Sequence, residues 1–282
     1  MVTRLIVNAD DFGLCRGVNA AICDAHTKGI LTSATIMANM GGAEEAVKIA
    51  KDLPDLGVGV HLNFLEGPAV SNDPKVAVLL DNDGEFAYSP GKLAKLSLLK
   101  KSFRKAIEIE SAAQIKWVID KGITPTHADS HKHVHSFPTI YPSVLRAVKG
   151  FGIKAVRWPC EPSFIWRNCW PKVSKNDRIR ARIVSTMARI NRLQDSALVK
   201  NDGFIGLAHT GAIDEKFWLK VCRCNFDGVA EIMTHPGYTE GLDPAKTRLI
   251  EERKVELKSL CSDAVIKAVA DAKIELIHYG NL

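Results

Sequence analysis

Hydrophobic residues along the chain fall into short unbroken runs separated by longer stretches with helical spacing. RLIVN at 4–8 is a continuous leucine and β-branched run, the pattern of a parallel strand buried on both faces. Val18, Ile22 and Ala25 follow at helical spacing. SATIM (33–37) predicts a second strand, the stretch around 43–52 a helix, and GVGVHL (57–62) a third strand. Phe103, Ile107, Ala113 and Trp117 place a long helix over roughly 102–121. THAD (126–129), a helix over 138–149 and KAVRW (154–158) come next, the first and last as strands. GFIGLA (203–208) and GVAEIMT (228–234) add two strands with a helix near 214–222 between them. Asp243 as a cap and Pro244 at the first helical position predict the start of a last helix. Its apolar side would carry Leu249, Ile250, Leu257, Leu260, Val265 and Val269. IELIHY is a short closing strand.

Strands alternating with helices imply an α/β fold with a parallel sheet. Seven or eight such units within 282 residues favour a distorted (β/α) barrel of about seven parallel strands, TIM-barrel-like, over two Rossmann halves. No G-x-G-x-x-G follows the first strand and no G-x-x-x-x-G-K-[ST] occurs, so nucleotide binding has no support. The chain reads as one barrel domain over 1–282, with insertions near 66–100 and 159–200 where periodicity lapses.

Composition narrows the picture little. A hydrophobic share of 46% and a charged share of 25% are those of an ordinary globular protein and argue against disorder. The net charge of +6 suits an acidic surface without demanding one, and the basic residues form no recognised nucleic-acid motif. No segment has the length and apolarity of a membrane span, and Asp10 and Asp11 interrupt the only apolar run near the start. A cytoplasmic location is expected. Seven scattered cysteines, an odd number without framework spacing, are expected to be reduced thiols.

The chemistry-bearing residues collect where a barrel places its active site, at the C-terminal ends of the strands. Asp10 and Asp11 follow strand one, and His61 ends strand three. His127, Asp129 and His131 fall at strand four, Arg157 at strand five, His209 and His235 after the next two. HADSHKHVH (127–135) alone holds four of the nine histidines. Each has a bland alternative: the aspartates could cap a helix or support a turn, His61 could be a core histidine, and HPG (235–237) could be a turn. Within the cluster, a strand would put residues 131, 133 and 135 on one side, whereas a helix would bring 131 and 135 together. Jointly, several ionisable groups at one mouth would cost stability unless paired or metal-bound. One aspartate and two histidines with open positions suit a hydrolytic metal site.

Four stretches resemble the YdjC-like carbohydrate deacetylases, the ChbG/HpnK family: LIVNADDFG (5–13), GVGVHLNFLEG (57–67), THADSHKHVHSFP (126–138) and EIMTHPGY (231–238). They occur in the family's order and leave 70–100 and 160–200 uncovered. The resemblance implies hydrolysis of an N-acetyl group on an amino sugar. It assigns Asp11, His61 and His131 to one divalent ion, magnesium or zinc, of which two imidazoles suit a transition metal better. Asp10 would be the general base and His235 the general acid or an orienting group. His127, Asp129, His133, Arg157 and His209 are the expected substrate-binding residues. RWPCEP (157–162) is similar to the R-x-P-x-E-P segment of the hopanoid-associated branch, which implies an N-acetylglucosaminyl hopanoid glycolipid as substrate. The aromatic and basic stretch 164–192 would then meet an anionic membrane at its inner face, although the residues without the resemblance favour a barrel helix with a solvated basic face. A homodimer is the candidate assembly. Alternatives are a deacetylase of soluble chitooligosaccharides, a metal-dependent phosphoesterase, which usually starts with H-x-H after strand one, and a sugar- or lipid-binding barrel without activity.

Overall fold

β1 (Arg4–Phe12) is buried at every position after its first, as befits a central parallel strand. Along one edge it pairs with β6 (Val229–Thr234) from Arg4 to Ala9. The other edge is shared: β7 (Glu275–Ile277) pairs with Arg4–Ile6, and β2 (Ser33–Ile36) takes over from Asn8. β3 (Gly57–Leu62), β4 (Ala128–Ser130) and β5 (Gly203–Ile205) complete a parallel sheet of order β4-β3-β2-β1-β6-β5, with β7 beside β1. The computed structural model describes residues 3–162, 173–192, 198–224 and 228–282.

The sheet curls into a distorted barrel whose last gap is closed by very little backbone. Single parallel bridges join Ala128 to Val156 and Ala155 to Val199. The Asn201 side chain then spans to β5, accepting from Trp158 N (2.8 Å) and donating to the carbonyls of Trp158 (3.1 Å) and Gly203 (2.8 Å). KAVRW is therefore two bridged residues and not a five-residue strand. Arg157 makes one last backbone bond to Ala128 (3.1 Å), and Pro159 has no N–H with which to continue.

Helices cover the sheet: α1 (Arg16–Lys28), α2 (Ala43–Asp52), α3 (Pro90–Leu99), α4 (Lys101–Asp120), α5 (Tyr141–Gly150), α6 (Lys175–Arg192), α7 (Glu215–Val221), α8 (Glu251–Leu260) and α9 (Asp263–Asp271). The single last helix expected from Asp243 is two helices. Asp243 instead closes a turn, accepting from Ala245 N (2.9 Å). The break at 261–262 keeps Leu257, Leu260, Val265 and Val269 buried. Apolar periodicity carried across the break, which is why the pattern read as one rod.

The stretch from 66 to 100 holds a 3-10 turn at Pro74–Leu79 and α3, and its start is pinned from below. Buried Glu110 on α4 accepts from Val70 N (2.9 Å) and Ser71 N (3.0 Å), while Gln114 exchanges bonds with the Asn63 backbone (2.9 and 2.6 Å). Within 159–200, α6 packs through Ala181, Ser185 and Ala188; residues 163–172 lie outside the described ones. The described cysteines are free thiols. Among the described residues no helix is long and apolar enough to cross a membrane.

Candidate metal centre

Adjacent residues in a regular strand face opposite ways, so Asp10 and Asp11 could not both serve one site from an ideal β1. The register against β2 shifts between Ala9 and Phe12, and Asp11 sits at φ 66°, a left-handed conformation that aspartate tolerates better than most residues. Both carboxylates consequently lie in the buried interior. Neither caps α1, whose N-cap is Cys15.

Asp11, His61 and His131 come together. Asp11 Oδ1 lies 3.1 Å from His131 Nδ1 and 3.6 Å from His61 Nε2, and ligand atoms of the three lie within 4.8 Å of one another. The β3–β4 register sets His61 opposite Asp129. His61 Nδ1 is 2.7 Å from Asp129 Oδ1, which leaves Nε2 facing Asp11. One carboxylate oxygen and two imidazole nitrogens match the donor set of a divalent transition-metal site. The other Asp11 oxygen accepts from Arg253 Nη2 (2.6 Å). Gly237 makes room for that arginine, since a Cβ there would lie 2.8 Å from Arg253 Cδ.

Asp10 lies one layer deeper. Arg157 grips both of its oxygens (2.6 and 2.8 Å) and also meets Asp129 (2.5 Å) and Glu231 (2.8 Å). Burial pushes the Asp10 carboxyl up, but the Arg157 guanidinium outweighs it and holds the group ionised. Burial keeps Glu231 at about 7, with Tyr279 donating to it at 2.5 Å.

A cavity of about 830 Å3 opens over the centre, with Asp11, Glu66, His131, His133, His235 and Arg253 in its wall. The HKH turn is neither strand nor helix: Lys132 and His133 are both left-handed (φ 50° and 54°). That geometry sends His131 to Asp11 and His133 to the cavity. His135 goes elsewhere, to Ser130 Oγ (2.6 Å) and the Arg157 carbonyl (3.2 Å).

Residues 4–271 match the family model described as YdjC-like protein. The chain belongs to this family. Among its relatives are the carbohydrate deacetylases of Brevibacillus brevis (33% identical, covering 99% of each chain) and Geobacillus stearothermophilus (32%, covering 97% of this chain and 96% of the relative). The chitooligosaccharide deacetylase of Proteus mirabilis is 28% identical over the whole of both chains. The fold also matches a crystal structure from Enterococcus faecalis V583 of a protein named for cellobiose-phosphate cleavage, with TM-score 0.76, 23% identity and coverage of 100% and 99%.

Of the other residues expected to contact substrate in this YdjC-like chain, four sit off the cavity wall. Arg157 and Asp129 are consumed by the buried ionic cluster described above. His127 lies below the centre, stacked on Tyr279 at 4.0 Å, and burial lowers it to about 3. His209 packs against Phe217 at 5.2 Å. Each ends or follows a strand, which predicts a place at the mouth, but whether such a residue points up or inward depends on pleat and local turn.

Glu66, Arg253 and Glu256 escaped the sequence. Glu256 accepts from His235 N (2.6 Å) and fixes the HPG turn. Glu66 falls within GVGVHLNFLEG, but nothing in its spacing marks it; Arg253 is one basic residue in a charged helix.

Burial pushes His131 down, but hydrogen bonds to Asp11 and Glu66 raise it to about 9. The imidazolium must lose a proton before it can ligate a cation. Apparent metal affinity should therefore strengthen by about tenfold per pH unit between neutrality and pH 9, then level off. Isothermal titration across that range checks it; a flat profile would contradict ligation by His131.

Proposed function

We propose that this chain is a metal-dependent hydrolase that removes the acetyl group from an N-acetylated amino sugar, and that its substrate is an N-acetylglucosaminyl hopanoid glycolipid. The observation carrying the reaction is the trio Asp11, His61 and His131 beneath a cavity that also presents His235. The names of three relatives, each a carbohydrate deacetylase, support the same class. A divalent ion held by the trio supplies Lewis-acid polarisation of the amide carbonyl and a water far more acidic than bulk. Asp10, kept ionised by Arg157, accepts the proton of the attacking water. His235, which burial lowers to about 4 and whose Nδ1 has no hydrogen-bond partner among the described residues, is neutral at rest; it would take up the proton released from the attacking water and pass it to the departing amine as the C–N bond breaks. Acetate and a free amino sugar are the products.

The lipid reading is supported by the lining of the cavity, where Leu14, Val184, Leu207, Leu242 and Leu249 offer an apolar surface that a short sugar chain would not need. On α6, Ile183 lines the cavity and is 48% exposed, and Ile179 and Ile190 stand out among exposed arginines. That face suits peripheral contact with the anionic inner face of the cytoplasmic membrane. The Proteus mirabilis relative favours a second reading, a soluble chitooligosaccharide. A phosphoesterase finds less support: among the described residues the one other candidate metal group, Asp10, His61 and Asp129, shares His61 and is already neutralised by Arg157.

Acetate release by the metal-loaded protein decides between the substrates. Turnover of detergent-dispersed glycolipid, with little on diacetylchitobiose, is the expected result. The reverse pattern selects the soluble substrate, and no acetate from either removes the deacetylase reading.

A further inference from the structure

Each of the three candidate ligands has an outer partner, and one of these partners comes from a segment with no assigned role. His61 is held through Nδ1 by Asp129 (2.7 Å), and Asp11 through its second oxygen by Arg253 (2.6 Å). His131 presents Nδ1 to Asp11 (3.1 Å) while its Nε2 lies 3.2 Å from Glu66 Oε1. We propose that Glu66 is the positioning residue of the centre, accepting the Nε2–H of His131 so that Nδ1 is the nitrogen offered to the cation.

The arrangement reproduces on His131 what Asp129 does for His61, with the opposite ring nitrogen. A carboxylate on the far nitrogen fixes the tautomer, aims the ring and strengthens it as a donor. Glu66 is itself well anchored. Its backbone carbonyl accepts from Asn39 Nδ2 (2.9 Å) and Asn63 Nδ2 (2.7 Å), and Lys132 pairs with the same Oε1 (2.5 Å). Asn63 is tied in turn to Gln114, and Gln114 to Glu110, which holds the backbone of Val70 and Ser71. A buried polar chain thus runs from α4 to the ring of His131. The left-handed Lys132 and His133 leave His131 at the start of a tight turn, where its own backbone does little to restrain the ring. An external carboxylate is the restraint that is left. The cation itself and the reaction rest on the proposed function, but the role of Glu66 can be read without turnover.

Glu66→Ala and Glu66→Gln are titrated calorimetrically with Zn2+ and, separately, with Mg2+. Glu66→Ala should weaken binding about 10- to 100-fold, the range usual for loss of an outer-shell partner. Glu66→Gln keeps an acceptor oxygen and should fall between Ala and wild type. Because only the side chain changes, the backbone bonds to Asn39 and Asn63 remain, and an unchanged thermal midpoint will confirm folding. At saturating metal, KM for the sugar should stay near wild type. Unchanged metal affinity in both variants overturns the proposal. So does a raised KM with unaltered metal affinity, which would make Glu66 a substrate contact. If the wild type binds no cation, the metal centre fails; if it binds but releases no acetate, the reaction fails while Glu66 can still be judged.

Discussion

Arg157→Met should destabilise the fold by about 3–5 kcal/mol, the range for removing one partner of a buried ionic group. Arg157 is 1% exposed, and its guanidinium is the shared counter-charge of Asp10, Asp129 and Glu231. Methionine would fill much of the volume and leave the carboxylates without compensation, so the loss is electrostatic and not a packing defect. Protonating those carboxylates removes the uncompensated charge. The deficit should therefore shrink as pH falls toward the ordinary carboxylate range, because groups whose folded pKa has risen are destabilising only above their unfolded value. Urea denaturation at neutral and mildly acidic pH reads both effects. A variant as stable as wild type at neutral pH would show that the cluster is far better solvated than its geometry implies.

Asp10→Asn should lower kcat by about 10²–10⁴ while metal is retained, the range for losing a positioned proton acceptor. Asparagine keeps the shape of the side chain but cannot accept the proton of the attacking water. Arg157 keeps Asp129 and Glu231 as partners, so the fold should survive. Asp11→Asn is the contrasting variant, and it should lose the metal because Asp11 contributes the oxygen of the ligand trio. Metal content and kcat measured side by side separate the two roles. Substantial turnover in Asp10→Asn would reduce Asp10 to a counter-ion of Arg157, a reading its depth below the cavity wall makes worth testing.

The apolar runs at 4–8, 33–37, 57–62 and 228–234 determined the buried parallel strands, because a strand covered on both faces has no polar side to show and its composition alone declares it. That polar groups gather at one place was legible for a related reason, since strand ends in a curled parallel sheet share one rim, but singling out Asp11, His61 and His131 among them took the resemblance to the family. Tertiary structure decided what happens within a few ångströms of that rim. A register shift and a left-handed Asp11 turned two neighbouring carboxylates into the same interior, and two left-handed residues after His131 sent three histidines in three directions. Arg157 became a buried counter-charge, Glu66 reached the centre from a segment with no periodic signal, and Arg253 from a helix whose periodicity marks only its apolar side. Hydrophobic burial follows a one-dimensional pattern that composition reveals, whereas the direction of a polar side chain depends on single dihedral angles and on partners up to 242 positions away.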